Sequence, residues 1–160
     1  MLQSWDAAAS DLALVVVASL VNLLLAGMFL ARVRGLARLN QVLGWSAVAL
    51  ALPVAAVAAM NLLGGRPWWA VVLPALYVAY ALLQLLLDAI LKVDFRHSRL
   101  LGPYLAVYYL GLLGLVGYAF GVGAPHGFVT LGSYFICLLV TWYVYARVGH
   151  GVAPPGRASG

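Results

Sequence analysis

Five long apolar runs separated by four short polar connections organise this chain. A window of about nineteen residues places the runs at 12–31, 39–63, 68–91, 100–120 and 128–146. As helices rising 1.5 Å per residue, such runs can cross a bilayer core of about 30 Å. The connections RVRGLAR, GGRP, KVDFRHSR and GVGAPHG are too short to hold a soluble domain. The pattern therefore predicts an all-α integral membrane protein, with five transmembrane helices in a compact bundle and sequence neighbours antiparallel. Residues 1–146 form this single domain, and the Gly/Pro/Ser-rich segment 147–160 is expected to be a flexible cytoplasmic tail.

Composition removes the soluble alternatives. The 160 residues are 66% hydrophobic and only 8% charged, against about 25% charged in a soluble domain. With a mean hydropathy of +1.04, so short a chain has too little interior to hide that much apolar surface from water. The net charge of +5 would suit nucleic acid, but the bases flank apolar runs and form no stripe with interleaved aromatics. No nucleic-acid partner is expected. The opening MLQSWDAAASD lacks the basic n-region of a cleavable signal, so the first run reads as an anchor. Eight arginines to one lysine, with no glutamate, suit a GC-rich bacterial genome and hence an inner membrane.

Charge asymmetry sets an expected orientation. Arg32, Arg34 and Arg38 follow the first run, Lys92, Arg96 and Arg99 the third, and Arg147 and Arg157 the fifth. Arg66 alone lies on the other side. Cytoplasmic loops carry the excess of Lys and Arg, so the N-terminus is expected outside and the C-terminus inside.

Small residues mark packing faces. Ala47, Ala51, Ala55 and Ala59 recur every four residues in the second run, and Gly111, Gly114, Gly117 and Gly121 mark the fourth. Such ridges let helices approach closely. Ala51/Ala55/Ala59 and Gly117/Gly121 are candidate faces for a homo-oligomer or a membrane partner. Pro53 and Pro74 lie inside runs two and three and predict kinks. Asn22, midway along the first run, calls for an interhelical hydrogen bond.

Two runs carry a polar stripe. The third has Tyr77, Tyr80, Gln84, Asp88 and then Lys92; the fifth has Thr130, Ser133, Cys137, Thr141 and then Tyr145. At about 100° per residue each stripe falls within roughly 120°. Both runs point the same way, so Gln84 matches Cys137 in depth and Asp88 matches Thr141. Facing one another, Tyr77, Tyr80, Gln84, Asp88, Ser133, Cys137 and Thr141 would line a cavity for a small or lipid-like ligand. The competing reading is that the hydroxyls bond to carbonyls of their own helices.

The stretch LLLDAILKVDFRHSRLLGP, residues 85–103, holds five of the thirteen charged residues. Asp88 precedes Lys92 by four, the favourable acid-before-base order on a helix, and reads as an interfacial pair. Lys92, Arg96 and Arg99, with Arg32, Arg34 and Arg38, form an expected basic collar for anionic phospholipid at the cytoplasmic face. No catalytic constellation emerges, because sequence neighbours such as His97 and Ser98 do not set nucleophile against base. His97, His126, His150 and Cys137 lack ligand spacing, so no metal or cofactor is expected. The leading functional expectation is binding or transport of a small or lipid-like ligand between the third and fifth helices. Two alternatives stand beside it: a non-catalytic membrane subunit or assembly factor, and a membrane enzyme acting on lipid headgroups through Asp88, Asp94 and His97.

The orientation is checked by fusing a reporter to the C-terminus. Alkaline phosphatase should be silent there and a cytoplasmic fluorescent protein bright; the reverse pattern would overturn the charge argument.

Overall fold

The computed structural model describes residues 2–87, 91 and 101–148. Asp88, Lys92, Asp94, Arg96, His97 and Arg99 lie outside the described residues, as does the tail from 149 onward. Every described element is a helix: α1 (Leu2–Val33), α2 (Ala37–Ala49), α3 (Ala51–Leu63), α4 (Trp69–Leu85), α5 (Leu101–Val122) and α6 (Ala124–Val148). Four stretches are long and apolar enough to cross a membrane: Ala7–Val33, Ala37–Leu63, Gly102–Val122 and Ala124–Arg147. Trp69–Leu85 is apolar and shorter. These lengths fit a multi-pass helical membrane protein.

Local chemistry explains where the helices stop. Gly35 and Gly65 adopt φ of +69° and +63°, a left-handed conformation that costs glycine little. Beyond each, an amide reaches back six residues inclusive: Leu36 to the Ala31 carbonyl at 2.9 Å, and Arg66 to the Asn61 carbonyl at 3.0 Å. Both turns are glycine C-caps that satisfy carbonyls orphaned at a helix end. The run 39–63 is parted at Leu50 into α2 and α3 because Pro53 has no N–H for the Ala49 carbonyl. The next bond, from the Val54 amide to the Leu50 carbonyl, is stretched to 3.4 Å. Pro74, by contrast, lies within an unbroken α4. The expected connection GVGAPHG is almost entirely helical, with Gly123 alone between α5 and α6. Pro125 falls in the first turn of α6, where a missing N–H is not needed.

The helices close into a ring, in which α3 packs on α4, α4 on α5, α5 on α6, α6 on α1, and α1 on α2. Across the ring, α1 also touches α5. The core is built from Leu14, Val21 and Leu25 of α1, Val54 of α3, Tyr77 of α4, and Leu112, Leu115 and Tyr118 of α5.

The closest seam is α4 against α5, and glycine creates it. A Cβ on Gly111 would stand 3.2 Å from the Tyr77 Cα and the Tyr80 Cβ; one on Gly114 would press on the Leu73 carbonyl oxygen. Gly117 faces Leu73, and Gly121 faces the Trp69 ring. The glycine face, a candidate docking surface from sequence, is thus filled by α4 of the same chain. The alanine ridge is divided: Ala47 and Ala51 are buried, Ala55 is half-buried and Ala59 is exposed.

Gly114→Ala should destabilise the bundle by about 1–3 kcal/mol, the usual cost of overpacking. Gly132→Ala, where a Cβ would meet nothing within 4 Å, should be neutral. Thermal melting of the two purified variants in detergent compares them directly; equal melting points would contradict the close α4–α5 approach.

Candidate functional site

An apolar bundle gives a polar group no water to bond, so each must find a partner inside or bear a cost. Most interhelical side-chain hydrogen bonds among the described residues fall in three clusters.

The first cluster begins with the consequence of Pro74. Lacking an N–H, it leaves the Ala70 carbonyl, four residues earlier, without its helical donor. Asn61 at the end of α3 supplies one, its Nδ2 donating to the Ala70 carbonyl at 2.8 Å. The same Nδ2 lies 3.3 Å from the Tyr118 hydroxyl of α5. The Asn61 Oδ1 accepts from Arg66 Nη1 at 3.2 Å. Arg66 then grips Asp11 of α1 with both arms, Nη1 to Oδ1 at 2.5 Å and Nη2 to Oδ2 at 2.9 Å. Tyr118 donates to the same Asp11 Oδ1 at 2.5 Å, and the Trp69 ring meets the Tyr118 ring edge-on at 5.8 Å. The fork is the strong geometry for an arginine–carboxylate pair. Its hydrogen bonds to Asp11 hold the Arg66 guanidinium above its already high ordinary pKa, against the opposing effect of burial. Arginine side chains are 25% and aspartate 13% exposed in this pair, so it stands between the weak surface bridges and the fully desolvated ones.

The second cluster ties α1 to α6. Asn22, fully buried, donates from Nδ2 to Ser133 Oγ at 3.0 Å and approaches the Thr130 carbonyl at 3.5 Å. Ser19 and Thr130 hydroxyls lie 3.4 Å apart. The interhelical bond that Asn22 called for is therefore made with α6.

The third cluster is rich in tyrosine. Tyr77 donates its hydroxyl to the Ala47 carbonyl of α2 at 2.5 Å. The Tyr80 hydroxyl donates to Gln84 Oε1, and Tyr104 of α5 donates to the same oxygen at 3.0 Å. Tyr108 of α5 packs edge-on against Tyr80, with centroids 5.2 Å apart, and its hydroxyl lies 3.6 Å from Cys137 Sγ of α6. Tyr80 and Tyr104 rings are 6.0 Å apart.

These contacts redraw the expected pairing of stripes. Gln84 does not face Cys137: α4 and α6 each pack on α5, and Tyr104 and Tyr108 of α5 stand between them. The glycine face of α5 draws α4 onto it, so α5 rather than α6 meets the α4 stripe. The α6 stripe itself divides. Thr130 and Ser133 meet α1 and Cys137 meets α5, while the hydroxyls of Thr130, Ser133 and Thr141 each donate back to a carbonyl of their own helix, at 3.0, 2.7 and 2.8 Å. Of the candidate lipid contacts, Arg32 sits over the Phe29 ring at 5.7 Å, while Arg34 and Arg38 are exposed. Among the described residues no group of three His, Cys, Asp or Glu side chains could hold a metal ion.

Sequence reasoning missed the first cluster. The available signal was charge economy: Arg66 is the single cation of the connection GGRP, and Asp11 closes the polar segment before the first run. No family model matches the chain, and neither a curated protein nor a solved structure does.

The Asn61–Ala70 bond yields a thermodynamic cycle. Asn61→Leu strands a buried carbonyl and should cost about 1–3 kcal/mol. In a Pro74→Ala background the restored amide can serve that carbonyl, so the same change should cost about 1 kcal/mol less. Denaturant unfolding of the four proteins measures the coupling, and strict additivity would reject the assignment.

Proposed function

We propose that the chain crosses the membrane five times, N-terminus outside and C-terminus in the cytoplasm. In this reading it binds a small or lipid-like ligand at the tyrosine cluster of α4, α5 and α6. One observation carries the ligand assignment. The hydroxyls of Tyr80 and Tyr104 converge on the Gln84 amide oxygen, with Tyr108 and Cys137 beside them, inside a largely apolar bundle. Tyrosine combines an apolar ring with a hydroxyl that both donates and accepts. Several together suit an amphipathic ligand whose head forms hydrogen bonds and whose body is apolar. The site is centred on α5, with Tyr77 and Thr141 at its edges, and Asp88 follows Gln84 by four residues in sequence.

The eight-to-one division of basic residues supports the orientation. The seventeen residues of α4, about 26 Å at 1.5 Å per residue, support a fifth crossing at the short end of the usual range. The same division supports the cytoplasmic basic collar and an inner-membrane location.

A specific observation favours a second reading, a non-catalytic membrane subunit. The tyrosines, Gln84 and Cys137 each have a partner within the chain, and exposed Ala59 leaves part of the alanine ridge open to another helix. The lipid-headgroup enzyme would depend on Asp88, Asp94 and His97, which lie outside the described residues.

Gln84→Leu and Tyr104→Phe separate the two readings. Mass spectrometry of small molecules co-purifying from native membranes should find a species retained by the parent protein and lost from both variants. An unchanged set of co-purifying molecules, together with a lowered melting temperature, would assign the cluster to packing and favour the subunit.

A further inference from the structure

The rod formed by α2 and α3 is the least covered of the four long apolar spans. Only 17% of its apolar window is buried inside the chain, against 39–44% in the other three long spans. On α2 the open side forms a shallow groove of about 490 Å³ lined by Gln41, Val42, Trp45, Ser46 and Ala49. At about 100° per residue these five positions occupy an arc of roughly 140°. Arg38, one turn nearer the start of the helix, falls at the middle of that arc.

Along the helix axis the groove changes chemistry in the order a phospholipid does. Arg38 is exposed and cationic, Gln41 is exposed and offers an amide, Trp45 is 41% exposed, and Ala49 is followed by Leu52 at 75%. From Arg38 to Trp45 is about 10 Å at 1.5 Å per residue. One headgroup layer, the difference between about 30 Å of hydrocarbon and about 40–45 Å of whole bilayer shared between two faces, is about 5–8 Å, so with Trp45 at the hydrocarbon boundary Arg38 reaches the outer edge of the headgroups. Trp45 then sits at the level where indole rings anchor helices.

Among the described residues, no acid lies beside the bases at this end. Neither Arg34 nor Arg38 has an ion-pair partner among the described residues. The first turn of α2 contains no acid and has no side-chain cap. Asp11, the one acid whose side chain is described, is held by Arg66. It lies 23 residues before Arg34 on α1, about 35 Å away along the helix.

We propose that this groove binds one anionic phospholipid. Arg38 and the Gln41 amide hold its phosphate, the Trp45 indole lies at the glycerol level, and an acyl chain runs over Ala49 toward Leu52. A guanidinium fork suits a phosphate better than a point charge does. The assignment is independent of the tyrosine cluster, which lies inside the bundle.

Native mass spectrometry of the full chain can test it, after equilibration with equal amounts of phosphatidylglycerol and phosphatidylcholine of the same acyl chains. The parent protein should retain the anionic lipid in excess. Arg38→Ala with Gln41→Ala should lower that excess about fivefold, the equivalent of one basic contact. Both positions are exposed, so the fold should persist. Leu63→Ala, at the far end of α3, should leave the excess unchanged and controls for general loss of lipid contact. A preference for phosphatidylglycerol left undiminished by the double substitution would overturn the proposal, as would equal loss of both lipids.

Discussion

A carbonyl freed by proline must find another donor, and in this bundle that requirement organises one whole end. Pro74 leaves the Ala70 carbonyl open, and Asn61 closes it at 2.8 Å. Because the Asn61 side chain also bonds Arg66 and meets Tyr118, the repair becomes a junction. Arg66 extends it to Asp11 of α1, so four parts of the chain, α1, α3, α4 and α5, are held at a single point. The intact course of α4 past a proline follows from the partner, since neighbouring side chains can re-satisfy a helix that proline has opened.

The rest of the interior applies the same rule with different materials. Asn22 draws Ser133 and Thr130 of α6 onto α1, in a stretch where apolar packing alone gives helices little reason to choose one another. Glycine does the complementary task on α5. With no Cβ at Gly111 and Gly114, the backbones of α4 and α5 come close enough for Tyr104 and Tyr108 to reach the polar stripe of α4. Position in the ring thus follows from two local facts, a smooth face and a set of hydroxyls. The tyrosine cluster is their product.

Inside and outside consequently differ in kind. The interior is tightly specified, with hydrogen bonds converging on Asn61, Asn22 and Gln84. The α2–α3 rod shows most of its length to the surroundings and carries Gln41 and Ser46 toward the end that holds Arg38. A ligand held within the bundle would have to compete with bonds already made. One held on the rod would meet none, apart from the lipid it replaces.

The sequence by itself determined the material and the punctuation. Long apolar runs with few charges dictate helices, Gly35 and Gly65 end two of them, and Pro53 parts another, because these are consequences of local backbone chemistry. The requirement for a partner to Asn22 was equally legible, since an amide at mid-helix has a cost wherever it goes. The identity of the partners was not. The stripes on α4 and α6 share spacing and direction, yet they do not meet, because periodicity fixes which side of a helix is polar and leaves open which neighbour that side faces. Only the tertiary structure placed α5 between them, through glycine contacts that depend on the opposite backbone. Only it joined Asp11 to Arg66, 55 residues apart, since neither residue belongs to a motif and their meeting depends on how three other helices pack.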